Sequence, residues 1–209
     1  WLLERRKRAE SALITVVADA YLAGVSTRRM DKLVGALGIS SLSKSQVSRM
    51  AAELDEHVAS FRNRPLGDAG PFIFVAADAL TMKVREGGRV VSAVVLTATG
   101  VNADGHREVL GLRVATCESG AAWNEFLADL VARGLGGVRL VTSDAHTGLV
   151  EAIAANLPGA TWQRCRTHYA ANLMTVTPKS AWPALKTMLH SVYDQPDAAA
   201  VEAQFDRLL

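Results

Sequence analysis

The stretch that decides the fold is GVRLVTSDAHTGLVEAIAANLPGATWQRCRTHY, residues 137–169. Its period changes more than once. Val138 to Thr142 is a short apolar, β-branched run that reads as a buried strand and leads into Asp144. TGLVEAIAANL (147–157) repeats its apolar residues at helical spacing and stops at Pro158-Gly159. ATWQRCRTHY (160–169) gives one more short strand, leading to Cys165 and His168, and from about 169 onward the pattern is helical.

Upstream, PFIFVAA (71–77) reads as another buried strand, ending at Asp78. RVVSAVVLTATGV (89–101) and REVLGLRVA (107–115) follow as strands. EGG (86–88) and NADG (102–105) are the turn signals between them, so three consecutive antiparallel strands are the simplest assembly. Gly87-Gly88 is a hairpin tip and not a phosphate loop, because no helix or P-loop lysine follows it, and Asp104 belongs to the second turn. SGAAWNEFLADLVARG (119–134) is amphipathic, with Trp123, Phe126, Leu127, Leu130 and Val131 on one face, and stops at Gly134. Three strands, a helix, a strand, a helix, a strand and then helices define an α/β fold, a mixed sheet flanked by helices.

Asp78 and Asp144 thus stand at the ends of two strands. If those strands are parallel neighbours, both carboxylates emerge at one edge, where ligands collect in open sheets. Paired carboxylates repel, and a shared divalent cation relieves the repulsion when the two groups lie within about 4–7 Å. Oxygen-only ligands favour Mg²⁺ or Mn²⁺ over Zn²⁺. Two such ions drive in-line attack at phosphodiesters. The plainer alternative is that each Asp caps a turn or helix, and Asp144 lies just before one.

The front of the chain has another character. KRAESALITVVADAYLA (7–23) is an amphipathic helix ending at Gly24, Ser26 caps a second (STRRMDKLVGAL), and Ser43 caps a third (KSQVSRMAAELDEHVASF). The short turn at Gly38–Ser40 between the last two gives a helix-turn-helix pattern. Its second helix would aim Lys44, Ser45, Gln46, Ser48 and Arg49 at bases and phosphates, with Arg28 and Arg29 on the backbone. Three-helix packing without DNA yields the same periodicity. Residues 1–64 carry 11 Lys/Arg against 7 Asp/Glu, while residues 65–209 carry 12 against 14. A basic front on a mildly acidic body suits a polyanionic partner, and the tract RRKR (5–8) adds charge without readout. RNRPLGDAGP (62–71) reads as the linker between them. The expected organisation is a DNA-binding region over 1–64, a linker over 65–70, a catalytic core over 71–169 and further helices over 170–209.

Composition excludes other classes. Of 209 residues, 49% are apolar and 21% charged, enough for a core and against wholesale disorder. No apolar run reaches the length of a membrane span, and the opening WLLERRKRAE lacks the apolar region of a signal peptide. Two cysteines, Cys117 and Cys165, exclude a disulfide-stapled scaffold, so a reducing, cytoplasmic setting is the expectation, and a DNA partner would make it nucleoid-associated. The chain begins at Trp1 and ends in VEAQFDRLL, an amphipathic helix with no stop signal, and reads as a fragment of a longer one.

The residues VAADALTMKVREGGRVVSAVVLTATGVNADGHREVLGL, followed by GLGGVRLVTSDAHTGLVEAIAANLPGATWQRCRTHYAANL, resemble the bacterial Mutator-type insertion-sequence transposases. Asp144, Gly148, Gln163-Arg164-Cys165 and His168 carry most of the resemblance, which runs from about 25 to about 195. It implies an RNase H-like catalytic domain with an Asp, Asp, Glu triad, a helix-turn-helix front end and a helical insertion before the last acid. Asp78 and Asp144 match the first two acids. The Glu has no match, and Asp194, Asp197, Glu202 and Asp206 lack its flanking pattern. The implied chemistry is hydrolysis at the element's ends and attack of the freed 3′-OH on target DNA, with two Mg²⁺ or Mn²⁺ held by Asp78 and Asp144. Implied partners are the terminal inverted repeats, target DNA and a second copy of the chain, with no membrane.

Other residues invite roles. Cys165 and His168 are spaced C-x-x-H, but structural zinc wants four ligands, so a structural place beside the active site is favoured. His146 could touch phosphate or a metal-bound water, or be polar surface. Arg164 and Arg166 are candidate phosphate contacts. Trp123 and Trp162 sit in apolar patterns and are expected in the core. Two rival readings remain: a DNA-binding regulator that keeps the fold without the chemistry, and an RNase H-like nuclease acting on another nucleic acid.

Overall fold

The computed structural model describes residue Val16 and residues 44–208. The chain divides into two compact units, Trp1–Arg64 and Pro65–Leu209. In the first unit the described element is helix α1 (Lys44–Asn63), at the position expected from the sequence. Arg62 lies in its last turn, where a cation suits the helix dipole. Just beyond it the Arg64 guanidinium sits 4.4 Å from the centre of the Phe61 ring and donates to the Phe61 carbonyl at 3.2 Å. The helices expected over 7–23 and 26–37, with Arg28 and Arg29, lie outside the described residues. So do the side chains of Lys44, Ser45, Gln46, Ser48 and Arg49.

The second unit is built on a five-stranded sheet with the spatial order β3-β2-β1-β4-β5. Its strands are β1 (Phe72–Glu86), β2 (Arg89–Asn102), β3 (Arg107–Ala115), β4 (Leu140–Ser143) and β5 (Thr161–Arg164). The first three form an antiparallel meander, and β4 and β5 run parallel to β1. Helix α2 (Gly120–Ala132) and helix α3 (Thr147–Asn156) make the crossovers. Helices α4 (Arg166–Thr175), α5 (Trp182–Tyr193) and α6 (Ala198–Asp206) complete the unit, α4 packing on α5 and α5 on α6. This mixed α/β architecture is compatible with an RNase H-like fold. Among the described residues, no helix is long and apolar enough to cross a membrane.

One face of the sheet makes the core. Alternation along β1 turns Val75 and Ala77 to that face, joined by Leu96 and Ala98 of β2 and Val141 of β4. Trp123, Phe126, Leu127 and Leu130 of α2 close over them with Leu149 and Ile153 of α3, all fully or almost fully buried. Each such side chain contributes roughly 1.5–3 kcal/mol. In the stretch read as a linker, Leu66 is also fully buried, and its amide donates to the Arg133 carbonyl at 2.7 Å.

The structure differs from the sequence reading in two places that bear on the site. The strand expected to stop at Asp78 continues to Glu86, so Asp78 is not at its end. Alternating ALTMKVRE still supports a strand when only one partner, β2, is needed to pair it. Trp162, expected in the core, lies on the edge strand β5 and is 37% exposed. Its indole instead donates to the Ser143 hydroxyl at 2.9 Å.

Candidate active site

Three registers converge on one rim of the sheet. Strand β1 pairs with β4 through Phe74↔Leu140, Val75↔Val141 and Ala76↔Thr142, and the pairing ends there. Counting two residues on along both chains puts Asp78 level with Asp144. Neighbouring strands lie about 4.8 Å apart, and equivalent positions of a parallel pair point to the same face. Val75 and Ala77 occupy the core face, so Asp78 belongs to the opposite one, and Asp144 is the first residue after β4. Asp78 is therefore at the end of a ladder, not of a strand. On its other side it pairs with Thr97 of β2, whose hydroxyl donates to the Asp78 carbonyl at 3.1 Å.

Each carboxylate is held by one oxygen. Asp78 Oδ1 accepts from the Ala79 amide at 2.9 Å, and Asp144 Oδ1 accepts from the His146 amide at 3.2 Å. Among the described residues, Oδ2 of each takes no hydrogen bond. The Asp78 side chain is 62% exposed. Oxygen donors fixed on one side and open on the other suit a hard divalent cation. Among the described residues, no group of three or more His, Cys, Asp and Glu is gathered so as to hold a metal ion.

Asp144 is not the N-cap of the helix that follows; its carboxylate instead caps the turn after β4 through the His146 amide. The N-cap of α3 is His146, whose Nδ1 accepts from the Leu149 amide at 3.3 Å. An accepting Nδ1 leaves the proton of the neutral ring on Nε2. Glu118 lies 4.0 Å from that same Nδ1 and accepts from the Trp123 indole at 3.0 Å. His146 and Glu118 thus lie close together where the loop after β4 passes the start of α2.

The glycine of the sequence signature has a steric reason. A methyl group at Gly148 would come within 2.6 Å of the Gly120 Cα and 2.7 Å of its nitrogen. The first turns of α2 and α3 approach so closely that Gly148 has no room for a side chain at the crossing and Gly120 has little. Gly120, the other half of this pair, is inconspicuous in the sequence, because a glycine after a capping serine looks ordinary.

His168 is the residue whose neighbour the sequence does not disclose. Cys165 is the N-cap of α4, and its amide donates to the Ser143 carbonyl at 2.6 Å, which pins the start of α4 beside β4. One turn later His168 Nε2 lies 3.8 Å from Asp78 Oδ1, while its Nδ1 is buried without a hydrogen-bond partner. The C-x-x-H spacing is the signal, since three residues past the end of a strand turn a helical side chain back over the rim. Gln163 pairs with Thr142, on the same face as Asp78. Arg164 is level with Ser143, and its guanidinium carbon sits 5.0 Å from the centre of the Tyr169 ring.

Arg166 approaches Tyr193 similarly, at 5.7 Å. Beside them a cleft of about 430 Å³ lies between α4 and α5, lined by Arg166, Ala170, Met174, Lys186 and Tyr193 among others. Burial pushes the Tyr193 hydroxyl above its ordinary range, and the neighbouring Tyr169 adds to the rise while Arg166 opposes it.

A mixed five-stranded sheet of this order, flanked by helices, places the unit among α/β proteins compatible with an RNase H-like fold. Comparison of the sequence with known proteins makes the assignment specific. The family "Transposase, Mutator family" matches residues 1–209, and the chain belongs to that family. It is 68% identical over 209 residues to the transposase for insertion sequence element IS1081 of Mycobacterium tuberculosis, covering 100% of this chain and 50% of that protein. It is 43% identical to the IS406 transposase of Burkholderia multivorans, covering 96% and 52%. It is 36% identical to the transposase for IS256 in transposon Tn4001 of Staphylococcus aureus, covering 100% and 53%. The chain spans about half the length of these curated relatives.

Proposed function

We propose that this chain is the part of an insertion-sequence transposase that carries an RNase H-like catalytic core, with Asp78 and Asp144 as two acids of an Asp, Asp, Glu set. The observation that supports the reading is the β1–β4 register, whose last pair, Ala76↔Thr142, comes two residues before each acid. Membership of the Mutator transposase family supports the same assignment.

Asp78 and Asp144 would hold Mg²⁺ or Mn²⁺ through the oxygens that carry no hydrogen bond. When bound, such ions supply an activated water or hydroxyl and stabilise the leaving oxygen at a phosphodiester. The backbone amides of Ala79 and His146 each hold one oxygen of a carboxylate and leave the other for a cation. His168, beside Asp78, limits how far that carboxylate can swing. The third acid, a Glu in the family pattern, is assigned to sequence outside these 209 residues. DNA partners are the element's terminal repeats and target DNA, met by a helix-turn-helix front end through Arg28, Arg29, Lys44, Gln46 and Arg49 and by Arg164 and Arg166 near the core. The working form on DNA is a homodimer or larger.

The test uses the full-length protein and DNA carrying an element end. Asp78→Asn and Asp144→Asn should each abolish end cleavage and strand transfer while end binding persists. Normal cleavage by either variant would overturn the catalytic role of that aspartate.

A further inference from the structure

Beyond the Thr81↔Val94 rung, the sheet narrows to a two-stranded ribbon. Strand β4 pairs with β1 no further than Ala76, and β3 pairs with β2 no nearer the hairpin than Val94. From Met82 to Ala93 the two long strands have only each other. The ribbon closes at Gly87 and Gly88, whose φ angles of 53° and 81° give the two left-handed residues of a narrow hairpin turn. A side chain at either glycine would meet nothing, so the tip is free. Eight residues separate Asp78 from Glu86, which at about 3.3 Å each carries the tip about 26 Å from the candidate site.

The ribbon's charge departs from that of the unit around it. Residues 82–93 hold Lys83, Arg85 and Arg89 against the single acid Glu86, net +2, whereas the rest of residues 65–209 holds 9 Lys/Arg against 13 Asp/Glu, net −4. All three cations are exposed. Lys83 donates to the Ser92 hydroxyl across the ribbon at 2.7 Å. Among the described residues, none of the three cations pairs with a carboxylate, although Arg89 is opposite Glu86 in register. Like charges concentrated without counter-charge on a protruding element favour a polyanion.

We infer that the β1–β2 ribbon is an arm that lies along duplex DNA beside the reacting strand, with Lys83, Arg85 and Arg89 on backbone phosphates. A two-stranded ribbon is narrow enough for the major groove of B-DNA. The arm rests on the transposase reading for the identity of its partner. It begins four residues after Asp78 on the same strand, so DNA held by the arm is held at a fixed reach from that carboxylate. The ribbon also exposes Met82 and Val90, and its base Leu80, which would serve a protein contact instead.

The experiment measures affinity of the full-length protein, in an Asp144→Asn background, for a duplex carrying an element end, as a function of salt. Each phosphate contact contributes about 0.9 to the slope of log K against log salt, so K83Q/R85Q/R89Q should lower the slope by up to about 2.7. The wild-type advantage then shrinks about fortyfold between about 50 and 200 mM salt. Glu86→Lys, which adds a cation at the tip, should steepen the slope by up to about 0.9. A slope within about 0.5 of the unsubstituted protein for both variants would overturn the proposal. So would an unchanged slope with self-association lost on sedimentation, which assigns the arm to a protein contact. Because the readout is binding, it separates from the catalytic reading: an Asp78→Asn protein that still cleaves sinks the latter and leaves the arm standing.

Discussion

Gly148→Ala tests the crossing that positions the site. In an ordinary helix this substitution stabilises by about 1 kcal/mol, because glycine has more backbone freedom to lose. At this crossing the added methyl would meet the Gly120 backbone at 2.6 and 2.7 Å, against ordinary contacts near 3.5–4 Å. Backbone cannot rotate aside as a side chain can, so α2 and α3 must separate by about 1 Å. Overpacking of this kind costs about 1–3 kcal/mol. At about 2–4 °C per kcal/mol for a chain of this size, Tm should fall by about 2–12 °C in a far-ultraviolet circular dichroism melt. Gly120→Ala meets Gly148 Cα at 3.2 Å and should cost less. Gly159→Ala, which meets nothing within 4 Å, should stay within about 0.5 kcal/mol of the parent. A Gly148→Ala protein as stable as the parent would refute the reasoning, since room for a methyl would mean the two helices do not cross this closely.

Trp123→Ala removes a fully buried ring and its hydrogen bond to Glu118, and should cost about 3–5 kcal/mol in denaturant unfolding. His146→Ala strips α3 of its cap and should cost about 0.5–2 kcal/mol, with His146→Asn recovering most of it because asparagine caps well. Tyr193 should form its phenolate later than a free tyrosine in an ultraviolet titration. Because its folded value is raised, the folded state holds that proton more tightly. Its contribution to stability is present below about pH 10 and is lost as pH rises through the folded value.

Much of the second unit is legible in the sequence because its elements announce themselves by period and punctuation. Asn102–Gly105 and Glu86–Gly88 mark the two turns of the meander, and Ser119, Gly134 and Pro158 mark helix limits that hold within a few residues. What stays hidden depends on pairing, not on local pattern. Asp78 looks like a strand end because a charge interrupts an apolar run, yet the ladder with β2 carries the strand through it. Trp162 looks buried by its neighbours, but an edge strand leaves one side open and the indole finds Ser143. Asp144 looks like a helix cap, and His146 takes that place two residues later. The neighbour of His168 requires knowing that α4 begins beside β4. Gly148 is legible as a signature, whereas Gly120 acquires meaning only from the crossing.

The most direct measurement of the central claim is Mn²⁺ binding to the full-length protein, followed by electron paramagnetic resonance without DNA or turnover. Two carboxylates that share a cation at one rim predict that Asp78→Asn and Asp144→Asn each weaken binding at least about tenfold, and that the double variant is little worse than either single one. Single variants that bind Mn²⁺ as tightly as the parent, or losses that simply add, would contradict it.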